Sequence, residues 1–202
     1  MRIAAFVAIV CLAAGALAAG DDHLLAGAQL FRERRFQEAY VEFTVAARLG
    51  AGGDALWYAA ATLVKLQRPE DALEAFAAAE RAAPSAADPL LQYYRALACY
   101  EAQLFLCADR LLEVVGDHTG PRIGAQARKM RADIAALLSN APAADSIDWY
   151  HARATESRKA GRHSLAALQY AEAAALAHRR HDRHREAEAR SSLAELRKEA
   201  AP

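Results

Sequence analysis

The sequence predicts an all-α fold built from helix–turn–helix units, and three observations carry that expectation. Alanine is abundant, glycine and proline gather at junctions, and runs of β-branched residues are missing, a composition that favours helix throughout the chain. Small–large–small stripes at spacings of four and three residues recur, so that the three side chains of each stripe share one helix face. The stripes also return at near-constant intervals, as structural repeats do.

The stretch Arg68–Pro84, RPEDALEAFAAAERAAP, shows the unit most clearly. Pro69 stands in the first helical turn, where its missing N–H does no harm. Glu70 and Asp71 then place negative charge at the positive end of the helix dipole. Ala72, Phe76 and Ala79 form the stripe, and Pro84 stops the helix. Two alanines let a neighbouring helix come close while the ring fills the space between them.

Taken in order, the expected helices are 22–34, 36–49, 54–67, 69–82, 89–102, 104–115, 121–139, 147–160, 163–180 and 183–199. Phe36-Gln37-Glu38 is an acidic helix start like Pro69-Glu70-Asp71. Asp54 follows Gly52-Gly53 as an N-cap, Asp88-Pro89 is a cap followed by a first-turn proline, and Asp182 caps the last helix. With Ala72 as reference, Ala39 lies 33 residues earlier and is followed by Phe43 and Ala46. Ala108 lies 36 residues later, followed by Leu112 and Val115, with the extra residues in the loop Ser85–Asp88. A fourth stripe is Ala166, Tyr170 and Ala173. Gly27, Ala60, Ala96 and Ala154 each precede a reference alanine by twelve.

A period near 34 with small residues at these places resembles the tetratricopeptide repeat, a helix–turn–helix unit. The resemblance covers roughly Asp21–Val115 and Ser146–His178. The chain departs from the family in its terminal proline, which appears only as Pro84, and in its tryptophans, Trp57 and Trp149, which lie one residue either side of the usual place. The resemblance implies an α-solenoid of four repeats with one extra helix between the third and fourth. That helix carries Ile123, Ala127, Met130, Ile134 and Leu137 on one stripe and should pack on the stack. The expected organisation is a signal peptide at 1–19, three repeats at 20–116, the extra helix and a hinge at 117–145, and the fourth repeat with a capping helix at 146–202. SNAPAAD at Ser139–Asp145 is the expected hinge, and Ala189, Leu193 and Leu196 form the stripe of the cap.

In the family, the first helix of each repeat lines a concave face. Carried over by the alanine register, that face would hold Phe31, Trp57, Val64, Lys65, Tyr93, Leu97 and Tyr100. As a groove it would accept an extended or helical apolar peptide. Shifted by one residue, the same side chains would be inter-repeat core. The asparagine position of the family's carboxylate clamp is occupied by Ala28, Ala61 and Leu97, so chaperone-tail binding is not implied.

No GxSxG, P-loop, HExxH or GxGxxG is present, so no catalytic or cofactor-binding residue is expected and the chain does not read as an enzyme. His178, His181, Asp182 and His184 suggest metal ligands, but Arg179, Arg180, Arg183 and Arg185 oppose a cation there, and no metal is expected. Cys99 and Cys107 flank the turn of the third repeat. A bridge would close a loop of about nine residues, worth roughly 2.5 kcal/mol on the chain-entropy model; two buried thiols in helix contact is the other reading.

Arg2, the uncharged run from Ile3 and Ala16-Leu17-Ala18 have the form of a cleavable leader, with the mature chain beginning near Ala19. An uncleaved membrane anchor is the alternative. Without Arg2 the net charge is near −1, which offers no general attraction to nucleic acid or anionic lipid. The resulting expectation is an adaptor or assembly scaffold in the bacterial cell envelope or periplasm. It would bind a protein or peptide partner, touching the membrane only through a retained leader. The alternative is a carrier or sensor with a ligand pocket between the two helical blocks.

Overall fold

The computed structural model describes residues 19–83, 88–116, 120–140 and 143–199. These are all-α, with no strand among the described residues. The helices are α1 (19–32), α2 (Phe36–Arg48), α3 (Gly52–Lys65), α4 (Pro69–Ala82), α5 (Pro89–Glu101), α6 (Phe105–Gly116), α7 (Pro121–Asn140), α8 (Ala143–Lys159), α9 (His163–Arg179) and α10 (Arg183–Glu199). The expected leader lies almost wholly outside the described residues, as does Pro84. No described helix is long and apolar enough to cross a membrane.

Two caps and one helix start illustrate the local chemistry. Asp88 caps α5, its Oδ1 accepting from Leu90 N–H at 2.8 Å, and Asp182 caps α10, accepting from Arg185 N–H at 3.1 Å. Asp54 is not the cap of α3: that helix begins at Gly52, which places Asp54 in its first turn. Gly53 enters the helix because only a glycine fits there, since a Cβ would overlap that of Ala83.

The stripe residues are the centre of each helix pair. Ala39, Ala72, Ala108 and Ala166 are each 0 % exposed, and Phe43, Phe76, Leu112 and Tyr170, four residues on, are all buried. So are Ala46, Ala79, Val115 and Ala173 at seven residues on, and Gly27, Ala60, Ala96 and Ala154 at twelve before. In the last repeat Ala154, Ala166 and Tyr170 belong to one cluster with Leu196. In the first, a Cβ on Gly27 would stand 2.7 Å from the Phe43 ring, so the ring covers the glycine directly.

The turn before each reference alanine is also the same. Arg34, Gln67, Gln103 and Gly161 each lie five residues before it, and all have positive φ, from 58° to 73°. In each turn this residue donates its N–H three residues back and the next residue donates five back, as in Gln67 to the Val64 carbonyl and Arg68 to the Leu63 carbonyl, both 3.0 Å. That is the Schellman helix ending. His181, between α9 and α10, repeats it with φ 60°.

The chain divides into two compact units, Met1–Ala87 and Asp88–Pro202. In the first, α2 packs on α3 and α3 on α4. In the second, α5 packs on α6, α6 on α7, and α9 on α6, α8 and α10. The expected hinge at 139–145 includes residues 141–142, which lie outside the described residues. Within the second unit the fourth pair is joined to the third, through contacts set out below. The extra helix α7 lies on α6, with Ala127 and Ile134 buried and Arg131 Nε 2.8 Å from Asp109 Oδ1.

Three substitutions test this packing and its turns. Ala72→Leu should lower the unfolding free energy by about 2 kcal/mol through overpacking, whereas Ala78→Leu on the exposed side of α4 should be nearly neutral. Gln67→Gly should raise it by about 1 kcal/mol, because relief of the left-handed conformation outweighs the freedom glycine adds to the unfolded chain. Urea unfolding of the three variants beside the parent measures each effect.

Candidate functional site

Within the second unit, polar chemistry converges on the α5–α6 turn. The first N–H groups of α6 have no partner inside their own helix. Glu172, on α9, supplies one: its carboxyl oxygens accept from Leu106 N–H at 2.5 Å and Cys107 N–H at 2.9 Å. Tyr150, on α8, donates its hydroxyl to the Gln103 carbonyl of the same turn. The turn is thus held from two other helices, and these bonds join the third pair to the fourth.

Glu172 is 3 % exposed, and burial pushes its carboxyl up to about 7 against the opposing pull of the two N–H groups and Arg110. Burial raises the Tyr150 phenol as well. Cys99 and Cys107 sit beside this cap as free thiols, their sulfurs 2.7 Å apart. The contact with Cys107, together with burial, raises the Cys99 thiol well above its usual range, and the same contact lowers Cys107. Cys107 lies in the first turn of α6, where burial and the nearby Glu172 carboxyl act against the effect of the Cys99 contact.

The expected groove residues divide by burial. Trp57 and Val64 are 1 % and 2 % exposed and belong to the core of the first unit. Trp57 packs on Phe76 at 5.6 Å between ring centroids and donates its indole N–H to the Ala83 carbonyl at 3.2 Å. Phe31 is half-buried against the Ala39–Phe43 cluster and meets Phe36 edge-on at 5.3 Å, while Lys65 is exposed. In the second unit Tyr93, Leu97 and Tyr100 are half-buried and follow one another along one face of α5. The Tyr93 hydroxyl reaches Gln126 Oε1 at 3.3 Å, and the Tyr100 ring meets Phe105 at 5.7 Å.

The histidines of the α9–α10 turn have other work. His178 Nδ1 lies 3.2 Å from Glu186, and Asp182 serves Arg185 through both carboxyl oxygens. No cluster of three or more metal-ligating side chains occurs among the described residues. A shallow pocket of about 140 Å³ between α8 and α10 is lined by Ile147, Asp148, His151, Ala152, Arg185 and Glu188. It is smaller than the roughly 300 Å³ at which pockets for drug-sized ligands begin, and the Arg185 guanidinium in it is already paired with Asp148.

Sequence reasoning missed Glu172 and Tyr150. The available signal was that Glu172 is the single charged residue in the apolar stretch Leu165–Ala177, a pattern that points to an interior carboxyl with a fixed partner.

A carboxyl raised on folding binds its proton more tightly in the folded chain, so folded protein holds more protons between its two pKa values. Stability from Glu172 is therefore full below 4.5 and is lost as pH rises through about 7. The loss is at most about 3 kcal/mol. The paired carboxylates of Asp148, Asp182 and Glu199 are shifted down and act in the opposite sense, but below that window. Urea midpoints from pH 4.5 to pH 7.5 should fall in the parent and be flatter in Glu172→Gln, which keeps an oxygen acceptor without a titrating group.

No protein-family model, no curated protein and no solved structure matches the chain.

Proposed function

We propose that the chain is a protein-interaction scaffold of tetratricopeptide-repeat type, an α-solenoid exported into the bacterial cell envelope, and that it captures a partner protein or peptide on a half-buried, aromatic-lined helix face. The observation that carries the repeat reading is the recurrence, in four helix pairs, of the same buried small–large–small stripe and the same left-handed turn five residues before it. The recognition element proposed is the Tyr93–Leu97–Tyr100 face of α5. Its two tyrosines present apolar rings with polar tips, the side-chain type that anchors interfaces. A helix held on both ends and packed on α6 presents these groups with little ordering left to lose on binding. Export is supported by the amino-terminal sequence pattern.

Crosslinking and affinity capture from intact envelopes, read by mass spectrometry, tests the scaffold. Leu97→Ala and Tyr100→Ala should each weaken capture about tenfold or more, with helicity by circular dichroism unchanged. If both variants recover the parent's partners at parental yield, the α5 face is not the recognition element. Amino-terminal sequencing of the protein from the same envelopes should begin at Ala19, and an intact Met1 would remove the cleavable leader.

A further inference from the structure

The α5–α6 turn brings two thiols into direct contact, and nothing in the scaffold reading uses them. Cys99 lies in the last turn of α5, four residues before the left-handed Gln103, and Cys107 lies in the first turn of α6. Their sulfurs are 2.7 Å apart, well inside the contact distance of two non-bonded sulfurs. Their immediate chemistry is set apart from metal binding, since no third ligand joins them among the described residues. The two differ in access: Cys107 retains 8 % exposure and Cys99 has none. Their mutual contact also acts on them in opposite senses, raising the Cys99 thiol and lowering that of Cys107.

We propose that Cys99 and Cys107 form a peroxide-reactive modification site, in which Cys107 is the attacking sulfur and Cys99 the resolving one, and that oxidation closes a disulfide across the α5–α6 turn. In the first step the Cys107 thiolate attacks one oxygen of hydrogen peroxide. The S–O bond forms, the O–O bond breaks, and hydroxide leaves, giving a sulfenic acid. In the second step the Cys99 sulfur attacks Cys107 Sγ. The S–S bond forms, the S–O bond breaks, and the departing hydroxide takes the Cys99 proton as water. Two electrons pass from the thiols to the peroxide, which leaves as two waters once the first hydroxide has gained the proton lost from Cys107. Peroxide is small enough for a thiol that is nearly buried. The rigid setting holds the second sulfur in place: Glu172 fixes the Cys107 backbone, and Tyr150 fixes Gln103 midway between the two cysteines.

The test uses the full chain. Cleavage at Arg95 and Arg110 releases one peptide, Ala96–Arg110, that contains both sulfurs and no other. After exposure to hydrogen peroxide, unfolding and alkylation, this peptide should be recovered with neither sulfur alkylated and with its mass lower by two hydrogens. Reduction before alkylation should restore two alkylated sulfurs. In Cys99→Ser, the same treatment with dimedone present should label Cys107. In Cys107→Ser, Cys99 should react about tenfold more slowly than Cys107 does in Cys99→Ser. Recovery of the parent peptide with both sulfurs alkylated overturns the proposal. So does a Cys107 carried to sulfinic acid beside an alkylated Cys99, or a peptide joined to a second copy. Equal rates in the two variants overturn the assignment of roles. The measurements on the parent chain stand whether or not either variant folds.

Discussion

Two helices can lie close along their length only where no side chain larger than a methyl group stands between them, and the rest of this structure depends on that constraint. Ala39, Ala72, Ala108 and Ala166 mark those places, all without solvent exposure. The bulk that fills each pair sits one turn further on, at Phe43, Phe76, Leu112 and Tyr170. Which residues meet is decided by the turn. A left-handed residue five positions before each alanine sends the second helix back at a fixed phase. Four of the five residues used in this way, Arg34, Gln67, Gln103 and His181, are not glycine. The conformation is held by the two reverse hydrogen bonds and by the packing they make possible.

The second unit departs from this apolar scheme at one point. Packing α9 against α6, α8 and α10 leaves it without a solvent face wide enough for charge, yet it carries Glu172. The carboxyl is kept there by two backbone donors that would otherwise be unsatisfied, so the burial of one polar group answers that of two others. The same bonds tie the third pair to the fourth.

The helices, their order and the stripes were legible because they are periodic: a small residue every turn or so and an interval near 34 survive in the sequence as counts. Helix limits were legible where a side chain acts as a cap, at Asp88 and Asp182. They were not at Asp54, where the fit of Gly53 against Ala83, thirty residues away, decides the start of α3. The groove was half legible. Sharing a helix face says that Trp57 and Val64 point the same way, but whether another helix covers that face is a property of the neighbour, and here Phe76 of α4 lies on Trp57 while both residues are buried. The nearness of Cys99 and Cys107 could be seen in the spacing, whereas the cap that Glu172 provides depends on a residue 66 positions away and leaves no local pattern.

That separation has a temporal side. On the ribosome, α6 emerges well before α9 exists, so its leading N–H groups face water until the missing carboxyl is made. At about 5–20 residues per second, the 66 residues between Leu106 and Glu172 take roughly three to thirteen seconds to synthesise. Throughout that interval the start of α6 is free to fray, and its two neighbouring thiols are at their most open to solvent and to other chains.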